Sequence, residues 1–207
     1  MNEPRQASRP APQRPLFDRA VFGGTFDPIH NAHLTVATEA ADVFGLSEVL
    51  FIPAGNPPHK SDSTSANYQD RFLMVALACK VDPRFVPSRL EETEGRSYSI
   101  DTIEKLWVPG RPLHFIIGAD AFAEIETWHR WQDVVRLTDF IVVTRPGHRY
   151  SAPPGARVHR LDTLALPVSS SEIRSKLGRG EIPAELPREV ARFIVERELY
   201  GWKTPTA

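Results

Sequence analysis

The stretch Ala20-Val21-Phe22-Gly23-Gly24-Thr25-Phe26-Asp27-Pro28-Ile29-His30-Asn31-Ala32-His33 decides the fold. Residues 20–22 are a short apolar run ending at two glycines, the pattern of a buried strand followed by a tight turn. Pro28 then stands near a helix start, where its missing N–H costs nothing. Apolar positions Val36, Ala37, Ala40, Ala41 and Phe44 recur at helical spacing and stop at Gly45, a favoured helix terminator. Glycines let a backbone approach a ligand closely, and a following helix N-terminus presents free N–H groups to an anion.

The same alternation continues outward. A strand at 49–52 ends at Pro53, and a polar loop runs from 54 to 66. A helix is expected from about 67 to 80 and a strand around 84–88. A helix from 99 to 107 carries Ile100, Ile103, Leu106 and Trp107 as its apolar positions. His114-Phe115-Ile116-Ile117 is a strand ending at Gly118; a helical stretch with Trp128 and Trp131 and a strand at 140–143 follow. Residues 145–155 read as a loop, a short strand pair is expected between 157 and 168, and two helices close the chain. Strands alternating with helices predict an α/β chain, a Rossmann-like doubly wound parallel sheet in a single domain. Its ligand crevice should lie beyond the strand ends.

Composition sets the outer bounds. The 207 residues carry a formal net charge of -1, with 25% charged and 41% hydrophobic residues. Such a chain has no basic field to hold a nucleic acid, and no apolar run reaches the length of a membrane span. The lone Cys79 cannot form an internal disulfide; it sits in the apolar run 72–78 and reads as a buried helix cysteine. That usage suits a reducing, cytoplasmic setting. Residues 1–18 hold Pro4, Pro10, Pro12 and Pro15 with Arg5, Arg9 and Arg14 and no apolar core. They read as a disordered leader before a domain spanning 19–207. No residue pattern speaks to oligomeric state.

His30 and His33 sharpen the anion site. Three apart, they share a helix face, and His33 heads the buried stripe by preceding Val36 and Ala37 by three and four residues. An imidazole there can donate hydrogen bonds to phosphate oxygens as charge builds in a transition state. On these residues alone a metal pair, a core histidine and an acid/base role in another reaction stay open. The metal pair lacks a third ligand at helical spacing.

A second anion site follows near the C-terminus. Ser169 with Glu172 three later is a capping-box pattern, so a helix starts there. Arg174 lies one turn after Ser170, which lets guanidinium and hydroxyl converge on a phosphate. Read alone, the element could equally be a plain capped helix with a solvated arginine.

The string GGTFDPIHNAHL resembles the signature of the HxGH nucleotidyltransferase superfamily, with Ala32 where the family usually has glycine. Val168-Ser169-Ser170-Ser171-Glu172-Ile173-Arg174 resembles its ISSTxIR element. The resemblance implies ATP contacts from Gly23, Gly24, Thr25, Phe26, His30, His33, Ser169, Ser170, Ser171 and Arg174, with Mg²⁺ screening the phosphates. Asn56-Pro57-Pro58-His59-Lys60, Ile117-Gly118-Ala119-Asp120, Glu126-Thr127-Trp128 and Ser97-Tyr98-Ser99-Ile100-Asp101-Thr102 resemble segments of the bacterial nicotinate-mononucleotide adenylyltransferase family. Here Ser99 replaces a common threonine, and His129 follows Trp128 where relatives often have tyrosine. That resemblance covers residues 19–200. It implies transfer of adenylyl from ATP to nicotinate mononucleotide, a step of NAD biosynthesis. Ser99, Asp120, Trp128, Arg145 and Lys60 would meet the mononucleotide, and Lys60 would assist His30, His33 and Arg174 in catalysis. Each has a plainer reading as cap, core or solvated residue. A sibling transferase acting on nicotinamide mononucleotide or phosphopantetheine and a non-catalytic nucleotide sensor are the rival readings.

Overall fold

The computed structural model describes residues 19–56, 65–93, 95–144, 149–163 and 168–203. Six strands form one sheet: β1 (Arg19–Gly24), β2 (Glu48–Pro53), β3 (Phe85–Pro87), β4 (His114–Gly118), β5 (Asp139–Thr144) and β6 (Arg157–Asp162). Their spatial order is β3-β2-β1-β4-β5-β6, and every neighbouring pair is parallel. That is the doubly wound order. The chain reverses direction across the sheet between β1 and β4, which opens a crevice beyond their C-terminal ends.

Helices cover both faces: α1 (Asn31–Phe44), α2 (Tyr68–Ala78), α3 (Ser99–Leu106), α4 (Ala119–Ala123), α5 (Trp131–Leu137), α6 (Ser170–Gly178) and α7 (Arg188–Glu196). Because side chains alternate along a strand, each strand feeds two cores. Ala20, Phe22, Phe51, Ile116, Ile141 and Leu161 pack with α1, α2, α6 and α7. Val21, Leu50, Ile52, Phe115, Phe140 and Val142 pack with α3, α4 and α5. The stripe predicted on α1 is the buried one: Val36, Ala37, Ala40 and Ala41 are buried, and Gly45 ends the helix with φ 66°. Cys79 is buried, as expected.

Residues 157–162 form one strand that pairs in parallel with β5; residues 164–167, within the span of the expected strand pair, lie outside the described residues. The open edge of β5 offers a row of unpaired N–H and C=O groups that the segment satisfies. The stretch around Trp128 and Trp131 is broken into α4, a 3₁₀ turn at Ile125–Thr127, and α5. The last break falls at Arg130, which has a left-handed backbone (φ 52°) and whose side chain is ion-paired with Glu104 at 2.7 Å and Asp133 at 2.8 Å. The predicted leader, 1–18, lies outside the described residues. Among the described residues no helix is long and apolar enough to cross a membrane.

Candidate active site

The crevice begins with the turn after β1. A Cβ on Gly24 would sit 3.1 Å from the Phe26 ring, so a larger residue there would press the ring outward by a few tenths of an ångström. Phe26 adopts φ 48° and packs edge-on against Phe22 at 5.7 Å and His33 at 5.1 Å. These contacts carry the chain from the end of β1 into the N-terminus of α1.

His30 caps α1, and its ring stacks on His33 with centroids 3.8 Å apart. The His30 amide N–H donates to His33 Nδ1 at 3.2 Å. In a neutral imidazole the acceptor nitrogen carries no proton, so the His33 proton is on Nε2, which remains a donor. His30 is buried, and its Nδ1 has no hydrogen-bond partner among the described residues. Burial pushes the His30 pKa down to about 4 against the opposing pull of the Glu185 carboxylate. Burial, with His30 alongside, holds His33 well below the usual histidine range. Both rings are neutral near pH 7. A buried, unpartnered ring nitrogen is costly unless a ligand completes it.

The serine element docks directly onto this turn. Ser169 Oγ accepts from the Glu172 N–H at 3.1 Å and starts α6. Ser170 Oγ donates to the Pro28 carbonyl at 3.1 Å, and Arg174 Nη1 donates to the Asp27 carbonyl at 2.7 Å. Arg174 Nη2 reaches Ser171 Oγ at 3.2 Å. Ser170 and Arg174 therefore meet at residues 27–28, two to six positions before His30 and His33.

Asp27 holds the turn in place. Its carboxylate is buried and accepts from the N–H groups of Ser65 at 2.8 Å and Ala66 at 3.1 Å and from Tyr200 Oη at 2.8 Å. Burial, followed by the nearby Asp27 charge, raises the Tyr200 pKa. Behind Asp27, the buried Arg71 donates to the Thr25 carbonyl at 2.8 Å and the Gly55 carbonyl at 3.3 Å, tying together the turns after β1 and β2. Burial lowers the Arg71 pKa, with Asp27 opposing.

Beside the turn lies a cavity of about 380 Å³ at the β1–β4 switch point. Gly23, Gly24 and Thr25 form one wall, Ser97, Tyr98 and Ser99 a second, and Trp128 and His129 a third. Trp128 stands edge-on to Phe115 at 6.0 Å, and the His129 ring lies 4.5 Å from Tyr98. Glu91 also lines the cavity, and its carboxylate accepts from Thr102 Oγ1 at 2.9 Å. Burial raises its pKa.

The predicted residues thus fall into two adjoining groups. Gly23, Gly24, Thr25, Ser99 and Trp128 line the cavity; His30, His33, Ser170, Ser171 and Arg174 gather at the turn that leads into α1. Ser169 is exposed at the start of α6. Asp120 is exposed on α4 between cavity-lining Gly118 and Ala121 and is not itself part of the lining. Lys60 and Arg145 lie outside the described residues.

A cytidylyltransferase-like family model matches residues 21–176 of this chain. The chain belongs to that family. A relative from Solibacter usitatus, named "Probable nicotinate-nucleotide adenylyltransferase", is 56% identical over 88% of this chain and 98% of its own. One of the same name from Frankia alni is 43% identical over 86% and 98%. Among solved structures, Plasmodium falciparum nicotinic acid mononucleotide adenylyltransferase complexed with NaAD superposes with a TM-score of 0.75 over 90% of this chain and 98% of that one. At 19% identity this last likeness shows the fold alone.

Sequence reasoning missed Asp27, Arg71, Tyr200 and Glu91. One signal was available: Arg71 precedes buried Met74, Val75 and Ala78 by three, four and seven residues, so a charge stands on the core face of α2.

Proposed function

We propose that this chain transfers the adenylyl group of ATP to nicotinate mononucleotide, forming nicotinate adenine dinucleotide and pyrophosphate, in the cytoplasmic synthesis of NAD. One observation carries the reading. Ser170 and Arg174 of α6 are bonded to the main chain of Pro28 and Asp27, beside a pair of neutral, stacked histidines. Donors from two distant segments converge at one helix N-terminus, an arrangement suited to a triphosphate.

The mononucleotide phosphate is already an anion and attacks the α-phosphorus of ATP in line, so no covalent enzyme intermediate is required. Catalysis rests on positioning and on charge stabilisation. His33, with its proton on Nε2, and His30, with an unpartnered ring nitrogen, supply hydrogen bonds that strengthen as charge moves onto the leaving pyrophosphate. Arg174, with Ser169, Ser170 and Ser171, holds the far phosphates, while Gly23, Gly24, Thr25 and Phe26 bring backbone close to the nucleotide. Asp27 and Arg71 are positioning residues.

Members of this class use a divalent ion, and Mg²⁺ arriving with ATP fits the donor set. The Asp27 carboxylate is committed to Ser65, Ala66 and Tyr200. The ion would then be held by phosphate oxygens and water, which Mg²⁺ readily keeps, and would screen the phosphate charge. The cavity takes the pyridine nucleotide: Trp128 offers a ring face, Ser99 a hydroxyl, and Asp120 a carboxylate for ribose hydroxyls from the cavity margin. Lys60 and Arg145 are assigned to the mononucleotide phosphate on their sequence context.

The test is pyrophosphate release from ATP with nicotinate mononucleotide, its amide and phosphopantetheine offered separately. The acid should be turned over fastest. Release with phosphopantetheine alone, or with none of the three, overturns the proposal.

A further inference from the structure

The N-terminal edge of the sheet, at the opposite ends of the strands from the crevice, gathers a second set of chemistry-bearing side chains. His114 opens β4, Asp139 opens β5, and His159 is the third residue of β6. His114 and Asp139 are register partners on adjacent strands. Each of the three stands two residues before a core residue of one face: Ile116, Ile141 and Leu161. Side chains alternate along a strand, so all three project to that same face. The cavity is lined by Phe115 to Gly118 of β4, and His114, Asp139 and His159 are not part of its lining.

One nitrogen from each imidazole and one carboxylate oxygen all lie within 4.8 Å of one another. His159 Nε2 is 3.9 Å from Asp139 Oδ2, and the His114 and His159 rings have centroids 5.8 Å apart. Asp139 divides its oxygens. Oδ1 is ion-paired with Arg157 Nε, while Oδ2 faces His159. Arg157 is itself fixed by a bond from Nη2 to the Thr138 carbonyl at 3.3 Å. Phe44, the last residue of α1, packs its ring 5.8 Å from that of His159. The C-terminal end of α1, the negative end of its dipole, has no basic residue in its last turn.

We propose that His114, Asp139 and His159 form a metal site for a zinc-class divalent cation, fastening β4, β5 and β6 together away from the catalytic crevice. Two imidazoles and a carboxylate are a donor set for zinc and its neighbours, whereas Mg²⁺ prefers oxygen donors throughout. A tetrahedral zinc ion wants ligand atoms about 3.4 Å apart, so the cluster needs to close by about 1 Å. His159, with 34% of its side chain exposed, can make that movement, and the same opening admits the ion and a water as fourth ligand. The Arg157 bond to Oδ1 leaves Oδ2 as the ligand and holds the carboxylate's orientation, the part an outer partner plays at metal sites. His114 is fully buried, which fixes the inner end of the site.

The experiment loads the chelator-stripped full chain with zinc, dialyses it, and measures bound metal by mass spectrometry and melting temperature with zinc and with Mg²⁺. Wild type, His159→Gln, Asp139→Asn and His33→Gln are compared, the last because the His30–His33 pair is the other place zinc could settle. Wild type and His33→Gln should retain about one zinc per chain and melt higher with zinc but not with Mg²⁺. His159→Gln and Asp139→Asn should bind at least about tenfold more weakly and lose the zinc-dependent shift. His159→Gln should keep wild-type pyrophosphate release, since it lies outside the crevice. Zinc retained undiminished by both edge variants, lost only in His33→Gln, or absent from wild type overturns the proposal and leaves an ion-pair cluster alone. If one edge variant fails to fold, the other decides.

Discussion

Arg174 Nη1 donates to the Asp27 carbonyl at 2.7 Å, a bond across 147 positions of sequence. It joins the turn after β1 to α6 and sets the guanidinium beside Ser171. Lysine lacks the planar fork that reaches both partners with separate nitrogens. Arg174→Ala should therefore lower kcat by about 10²-fold or more, with Arg174→Lys intermediate. Steady-state pyrophosphate release measures both. Since Arg174 is only half-buried, losing the bond should cost about 1 kcal/mol of stability, read from urea unfolding.

His33→Ala removes the ring whose Nδ1 is tied to the His30 amide and whose Nε2 is the free donor. Its kcat should fall by about 10²–10³-fold while the circular dichroism spectrum and melting transition stay those of a folded chain. A folded variant with unchanged kcat would exclude His33 from the chemistry.

The same burial that keeps these rings neutral makes stability pH-dependent. The His30 pKa falls from 6.5 in the unfolded chain to about 4 in the fold. Between those values the unfolded state binds the extra proton, so stability rises with pH. It is complete above about pH 6.5 and is lost as pH falls towards about 4, amounting to about 3 kcal/mol for His30. His33 acts in the same direction. Urea unfolding at about pH 7 and about pH 5 should show the loss, and His30→Asn should reduce it.

Gly55 follows β2, where an added Cβ would lie 1.9 Å from the Glu91 carbonyl oxygen. That oxygen belongs to the chain rather than to a flexible side chain, so it cannot swing away. Gly55→Ala should destabilise by about 1–3 kcal/mol, lowering Tm by roughly 2–10 °C. Because Ala54 and Glu91 line the cavity, it should also raise KM for the mononucleotide more than for ATP. Calorimetry and initial-rate kinetics check the two halves.

Much of the fold was legible because its causes are local. Strand-glycine-helix punctuation marked β1, α1 and the turn between them, and the α1 stripe lay where its period put it. Short β6 was harder: its partner is the β5 edge, and an edge is a property of the assembled sheet. Arg130, which breaks the helical stretch after β4, is held by Glu104, far away in sequence.

Residue types and spacing alone determined that the chain alternates strand and helix, and they picked out two segments, Gly23 to His33 and Ser169 to Arg174, as candidate anion sites. Only the tertiary structure decided that these segments touch, and that Asp27, Arg71 and Tyr200 hold the turn from behind. It also brought His114, Asp139 and His159 to one edge. Hydrophobic period and turn chemistry act over a few residues and can be read along the chain. A buried carboxylate or guanidinium is stable only beside partners that folding delivers from elsewhere, and sequence spacing carries no record of that meeting.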